Sequence, residues 1–429
     1  MRLARVFEYW GFMRIAVIGA GIIGITTAYE LAYDGHEVTV FERRGAAAEE
    51  TSFANAGLIA PGYVAPWAAP GMPLKVLKHL FSRYAPVKLS WPLTGSEFSW
   101  IWHWFKACNQ ESYRVNRAHL QRLAFYSRAR LHQLTAELAL EYDRSDGYMV
   151  LLRSQSDRRL VESSLQVLRD AGVTFSELDM AGARNIEPAL NSDANFLGAI
   201  YLPGDEVGNC RQFALLLKKE AQRLGVNFVF NAPVAQINHS NGAAVWVAGE
   251  TAPRHFDATV MCAGLAGATL LKQVGLTVPL VAVYGYSLSA PIREALNAPC
   301  RAVMDEHYKV AISRLGNRVR VAGSAELGGS LSRHRDSSVQ TLYKVLHDWF
   351  PGAAALSSGA QVWKGARPML PDGPPLIGAS GVAGLWLNLG HGSSGWALSC
   401  GSARALADLM AGRQPDIDLN GFGVAGRLV

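Results

Sequence analysis

Arg14-Ile15-Ala16-Val17-Ile18 runs without a spacer into Gly19-Ala20-Gly21-Ile22-Ile23-Gly24, and nothing else in the chain restricts its fold so tightly. The first five residues are largely β-branched, as a strand buried on both faces requires. Ile25 to Asp34 reads as a helix closed by Gly35, in the position where a left-handed residue commonly ends one. Glu37-Val38-Thr39-Val40-Phe41 is a second strand that finishes on Glu42, with Arg43 beside it. In such a unit Gly19 makes the tight turn, Gly21 lets backbone approach a pyrophosphate, and Gly24 permits close packing of helix on strand. The helix N terminus faces the negative charge, with Ile22 and Ile23 of the glycine turn among the cofactor contacts. Glu42 stands 18 residues beyond Gly24, where a carboxylate accepts from ribose hydroxyls and disfavours a 2′-phosphate. Strand residues Ile15, Val17 and Ile18, with Ala20 in the turn, complete a dinucleotide site.

A chain of 429 residues exceeds a typical single domain, so two domains sharing an interface are expected. Net charge is +6, yet no clustered Lys/Arg face carries a nucleic-acid reading motif. A membrane surface or an anionic substrate suits that balance at least as well. Five scattered cysteines lack any C-x-x-C pair or spaced histidines; they read as reduced thiols of a cytosolic compartment, with no metal site. Ile15 to Ala32 has the length of a signal-peptide core, but three glycines at fixed offsets, two threonines and Glu30 argue against it. No other apolar run reaches the length of a membrane span. Residues 1–12 precede a second methionine, Met13, and read as an extension outside the fold.

The glycine unit alone leaves NAD and FAD open. Two further stretches favour a flavin. Glu50 to Gly57 is a small-residue loop in which Thr51, Ser52, Asn55, Ala56 and Gly57 offer hydroxyls and backbone amides along a phosphate and towards a ring. Leu385 to Trp396 is a second strand, Gly-rich turn and helix start, carrying Gly390, His391, Gly392, Ser393, Ser394, Gly395 and Trp396. A helix N terminus there would stabilise negative charge on the pyrimidine side of a flavin.

Several separate stretches, "ETSFANAGLIAPGYVAPWAAPGMPLK" (50–75), "LPGDEVGNCRQF" (202–213), "YKVAISRLGNRVRVAGSAEL" (308–327) and "RPMLPDGPPLIG" (367–378), resemble the D-amino acid dehydrogenase small-subunit family, related to glycine oxidase and D-amino acid oxidase. The resemblance runs from Met13 to about residue 415. It implies an α/β fold, with a discontinuous Rossmann-like FAD-binding domain (13–64, 206–268 and 360–412) and an α+β substrate domain with a mixed sheet (65–205 and 269–359). It also implies FAD contacts at Val234, Ala263 and Gly264, where the strand from Asp257 ends in a turn. The implied reaction is oxidative deamination of D-amino acids to 2-oxo acids and ammonia, with hydride passing from Cα to flavin N5 and electrons going on to a quinone. An oxygen-using glycine/sarcosine oxidase, a D-proline or hydroxy-D-proline enzyme, and an idle flavoprotein subunit are the alternatives. Tyr284, where a lysine is usual, and Ser393-Ser394, where Thr-Leu is more common, depart from the family pattern and leave the substrate subtype open.

Such a reaction needs a cation for the substrate carboxylate, and an arginine fork fixes orientation as well as charge. Arg367 in Gly365-Ala366-Arg367-Pro368 matches the carboxylate-binding position of the glycine oxidase-like pattern. Tyr308 and Tyr286 fall on strands of the substrate domain, where phenols can line a pocket; an ordinary structural partner is the other reading. His391 lies in the Gly-rich turn and suits either a flavin contact or help with the substrate amine, given an unperturbed pKa of about 6.5. Residues 67–105 interleave Trp67, Trp91, Trp100, Trp102, Trp104, Phe81, Phe98 and Phe105 with Lys75, Lys78, Arg83, Lys88 and Lys106. That pattern suits a segment lying on the cytoplasmic face of a bilayer, close to a quinone, or aromatics packed inside the substrate domain.

Overall fold

The computed structural model describes residues 11–79, 85–240 and 242–428. Residues 1–10, Phe81 and Arg83 lie outside them. A six-stranded sheet runs in the order β18 (Leu376–Ala379), β19 (Leu385–Leu389), β12 (Ala258–Met261), β1 (Arg14–Ile18), β2 (Glu37–Phe41), β8 (Asn227–Val229). All its pairings are parallel except that of β18 with β19. Strand β1 sits in the middle, which is why Ile15, Ala16 and Val17 are all buried irrespective of parity. Helix α1 (Ile22–Tyr33) follows it and packs on α7 (Cys210–Arg223) and α10 (Gly395–Met410). The helix starts three residues earlier than the sequence suggests, because the Ile25 amide already donates to the Gly21 carbonyl. The long α4 (Gln110–Leu138) lies against α10 and extends the same core.

A three-stranded antiparallel unit, β9 (Val234–Asn238), β10 (Ala243–Val247) and β11 (Arg254–Phe256), leads back into β12. Between β12 and the next sheet stands α8 (Ala266–Lys272).

The large sheet is mixed. Its order is β17 (Gln361–Met369), β13 (Val281–Pro291), β16 (Arg318–Leu327), β15 (Val310–Leu315), β14 (Ala302–Asp305), β5 (Ser145–Leu152), β7 (Gly198–Val207), β3 (Leu58–Ile59); β4 (Val87–Leu89) and β6 (Ser176–Leu178) pair at its margins. Helix α9 (Asp336–Trp349) covers one face through Leu342, Val345, Leu346 and Trp349. Helices α5 (Gln155–Asp170) and α6 (Met180–Ile186) pack beside β5 to β7. Strand β17 falls within 360–412, the third segment of the expected FAD-binding domain, but is not a strand of the six-stranded sheet. It pairs with β13 over nine residues, from Val281↔Met369 to Ser289↔Gln361, and so belongs to the large sheet until the chain crosses back at Leu370.

Part of the aromatic stretch is packed inside the protein and part is exposed. On α3 (Gly95–Ala107), Trp100 is buried and its Nε1 donates to the Met369 carbonyl at 2.9 Å. Trp67 and Trp104 pack with it over Val283 and Met369. Trp91, Phe98, Trp102 and Phe105 instead remain more than half exposed, near Leu74 and Leu77 of α2 (Met72–His79). Lys106 sits 5.0 Å over the Trp102 ring, whereas Lys88 is buried and donates to Ser337. Among the described residues no helix is long and apolar enough to cross a membrane.

Candidate active site

A cavity of about 660 Å³ opens where the ends of β1, β2 and β12 meet the edge of the large sheet. At one end Gly19, Gly21, Ile22 and Ile23 reach it from the first turn. The three glycines are not equivalent there. A Cβ on Gly24 would fall 1.8 Å from the Gly19 carbonyl oxygen, and one on Gly19 would fall 2.8 Å from that of Cys262. Those two glycines are required by the protein's own packing. A Cβ on Gly21 would meet only Ser52 Oγ, at 3.5 Å. No neighbouring backbone demands that bare Cα, so the room around it is left to the cavity. Helix α1 has no side-chain cap, and its first amide, Ile22, donates to Ser52 Oγ at 3.0 Å. The rest of the helix N terminus opens towards the cavity, as an anion site requires.

Glu42 closes the far side. Its two oxygens accept from the Ala20 and Arg44 amides, each at 2.8 Å, which aims the carboxylate and leaves lone pairs for hydroxyl donors. Arg43 and Arg44 both bond Glu50, so the Arg43 fork is engaged by protein rather than left for a phosphate. Burial works against ionising Glu50, but the bonds from both arginines hold its carboxyl below the ordinary range. Val234, Ala263 and Gly264 line the cavity, together with Ala232, Pro233 and Cys262.

Thr51 continues the lining beyond Ser52, and Gly390, His391, Gly392 and Gly395 line it from the second Gly-rich turn. His391 Nε2 lies 3.0 Å from Ser402 Oγ. That hydroxyl donates to the Ser399 carbonyl, so it accepts from the ring, which places the imidazole proton on Nε2. Burial pushes His391 down to about 3, and the ring is neutral at every ordinary pH. Desolvated in this way, the ring is a weak proton acceptor. Trp396 turns away into the core against Tyr142 and Phe213, while Ser393 is exposed and Ser394 begins α10. Asn55, Ala56 and Gly57 do not line the cavity. They tie this loop to the large sheet: Arg320 donates to the Asn55 carbonyl at 2.9 Å and Ser313 to that of Ala56 at 3.1 Å. Thr51 Oγ1 adds a third tie, donating to the Ala366 carbonyl at 2.7 Å.

On the large sheet, Arg367 points across β13. Its Nη1 donates to the Ser324 carbonyl at 3.1 Å, and the guanidinium lies over Gly285, whose missing Cβ makes the space. Among the described residues no carboxylate lies within ion-pair distance of it. Part of the residue touches solvent, but the guanidinium is desolvated, and burial alone pushes it down to about 10. It therefore stays charged at neutral pH without a counter-ion. Tyr286 is on the other face: it pairs in register with Lys364, three residues from Arg367, and donates to Glu326 at 2.5 Å beneath α9. Tyr308 is at the turn between β14 and β15, with the Arg153 guanidinium 5.0 Å over its ring. Neither phenol is brought to Arg367. Trp363, which sequence reasoning did not single out, lines the cavity two positions from Gly365 on the strand of Arg367.

A family model described as FAD dependent oxidoreductase matches residues 14–409. This chain belongs to that family. D-amino acid dehydrogenase from Bradyrhizobium diazoefficiens is 41% identical over 414 residues, covering 96% of this chain and 98% of that protein. D-amino acid dehydrogenase from Methylobacterium radiotolerans is 42% identical over 409 residues, with 94% and 97% covered. Among solved structures, glycine oxidase from Geobacillus kaustophilus shares the fold with a TM-score of 0.75 at 22% identity, covering 96% of this chain and 98% of that one. As a member of the FAD dependent oxidoreductase family the protein uses FAD. The residues fit that group: bare Gly21 and the α1 start, where only the Ile22 amide is taken, by Ser52, suit its pyrophosphate, and Glu42 suits its ribose.

Proposed function

We propose that the protein oxidises D-amino acids of the alanine type to 2-oxo acids and ammonia and passes the electrons to a quinone. The observation that carries the substrate class is Arg367, a buried cation with no carboxylate partner among the described residues. A buried charge without a counter-ion is costly in an empty protein and is satisfied when a ligand brings the opposite charge. Arg367 stands beside the cavity lining rather than in it; with Nη1 on Ser324, the other N–H groups of its fork would take a carboxylate at the cavity's margin, which fixes the direction of the substrate's Cα–H. When bound, FAD supplies the two-electron acceptor. The three ties from Thr51, Arg320 and Ser313 hold the cofactor-side loop against the sheet that carries Arg367. His391, desolvated and with its Nε2 proton on Ser402, is a weak proton acceptor, so on this reading the amine enters in its neutral form.

The relatives' names support the substrate class. The quinone and a bilayer are supported by another groove, about 510 Å³, lined by Leu77, Phe98, Trp102 and Phe105, with Lys78 and Lys106 on the same two helices. Exposed aromatics flanked by cations suit an anionic lipid surface. Anaerobic mixing of the holoprotein with D- and L-alanine, followed by flavin bleaching, is the test. Bleaching by the D-isomer alone is expected, and bleaching by the L-isomer alone would overturn the reading. Peroxide yield against quinone reduction in the same preparation then separates an oxidase from a dehydrogenase, and flotation with anionic vesicles tests the docking face.

A further inference from the structure

Trp363 has a position that the reaction as described does not use. Strand parity puts it on one face of β17 with Gly365 and Arg367. Gly365 stands directly opposite Gly285 of β13, and Trp363 opposite Ser287. Two bare Cα positions are therefore neighbours, about 5 Å apart as opposed residues of an antiparallel pair. Each is roofed by a different side chain. A Cβ on Gly365 would fall 1.9 Å from the Trp363 ring, and a Cβ on Gly285 would fall 2.3 Å from Arg367 Nη2. The indole and the guanidinium thus lie side by side over a floor of glycine.

The indole is braced from behind. Phe53 stacks on it with ring centroids 6.1 Å apart and planes 29° apart, and Arg211 lies 4.2 Å from the Phe53 centroid. Phe53 does not line the cavity, whereas Trp363 does. A wall fixed in this way does not swing aside to admit a larger ligand.

We infer that Trp363 is the residue that sets the size of the substrate side chain. The inference rests on the carboxylate anchor proposed above. A substrate held by its carboxylate at Arg367 has its side chain two bonds away, and the indole is the nearest bulk over the adjoining glycine. Small side chains fit between anchor and wall; branched and aromatic ones meet the ring. Trp363 acts on the choice of substrate and not on the chemistry.

The test compares D-alanine with D-phenylalanine by anaerobic flavin reduction in the wild-type holoprotein, Trp363→Ala and Trp363→Phe. The wild type should prefer D-alanine. Trp363→Ala should raise the ratio of kcat/KM for D-phenylalanine over D-alanine by at least about tenfold, the size of effect that a few methylenes produce in a pocket. Trp363→Phe, which keeps a smaller aromatic wall, should fall between the two. A ratio within about threefold of wild type in both variants overturns the inference. So does a wild type that turns over both substrates equally well, a result that stands even if Trp363→Ala loses its cofactor. If no D-amino acid reduces the wild-type flavin, the carboxylate-anchor reading itself has failed, and the two failures are told apart by that first measurement.

Discussion

Replacing Gly285 by alanine should separate the geometry of the anchor from its charge. The added methyl would stand 2.3 Å from Arg367 Nη2, 2.5 Å from Cζ and 2.7 Å from Nη1. Ordinary contact begins near 3.4 Å, so the guanidinium has to move by about 1 Å. It can do so, because it is the far end of a flexible side chain, and the move breaks or lengthens the 3.1 Å bond to the Ser324 carbonyl. Gly285 lies inside a strand without a left-handed φ, so alanine costs its backbone nothing, and the unfolded chain loses some freedom. Fold and cofactor content should therefore stay near wild type. A misplacement of about 1 Å at a positioning group is worth on the order of a hundredfold in rate, or about 2.7 kcal/mol of transition-state stabilisation. Anaerobic flavin reduction by D-alanine is the assay, with FAD content and thermal midpoint measured on the same preparation. The expected result is a fall of about a hundredfold in kcat/KM, carried largely by KM, with bound FAD unchanged. A kcat/KM within about threefold of wild type would refute the reasoning, since the guanidinium would then not need the place it occupies.

Gly24→Ala puts a methyl 1.8 Å from a backbone carbonyl that cannot rotate away, so the protein should retain less than about a tenth of the wild-type flavin absorbance. Asp205 is buried, with Oδ2 unpartnered, and burial raises its carboxyl to about 7 against the pull of the Gly62 amide and Arg128. Between the ordinary carboxylate range and pH 7 the folded chain holds a proton that the unfolded chain has lost, so this contribution to stability disappears as pH rises through that window. Asp205→Asn should unfold later than wild type at pH 8 by at least about 1 kcal/mol and no later at pH 4; equal midpoints at pH 8 would contradict it. His391 has the opposite slope: the unfolded ring binds a proton below about 6.5 and the folded ring only near 3, so stability falls as pH drops between them. His391→Gln should flatten that fall in a series of thermal midpoints.

What could be read from the sequence was whatever depended on near neighbours along the chain. Strand, glycine turn, helix and Glu42 span about thirty residues, and each glycine's part follows from local geometry. A helix placed to start at Ile25 rather than Ile22 is one local departure: glycine inside a first turn reads as loop when its packing on Gly19 is unseen. The large sheet was legible as strands but not as faces. Tyr286 is in a strand as expected, yet its phenol points beneath α9 to Glu326, because parity relative to Arg367 is set by pairing with a strand about eighty residues away. The same distance hid β17, whose hydrogen-bond partner lies far up the chain from the third segment to which the sequence assigns it.

Trp363 carries this argument furthest. A tryptophan before Lys-Gly has no local signature. Its meaning comes from Gly365 beneath it, Gly285 opposite that glycine, and Phe53 and Arg211 behind, four residues from four different parts of the chain. The carboxylate anchor obeys the same rule, since Arg367 keeps its place only because another strand contributes no side chain at Gly285. In this fold the pyrophosphate and ribose contacts are written along one segment, and the end that chooses the substrate is written across strands. Substitutions at Gly285 or Gly365 should therefore alter substrate choice as strongly as changes at the residues that touch the substrate.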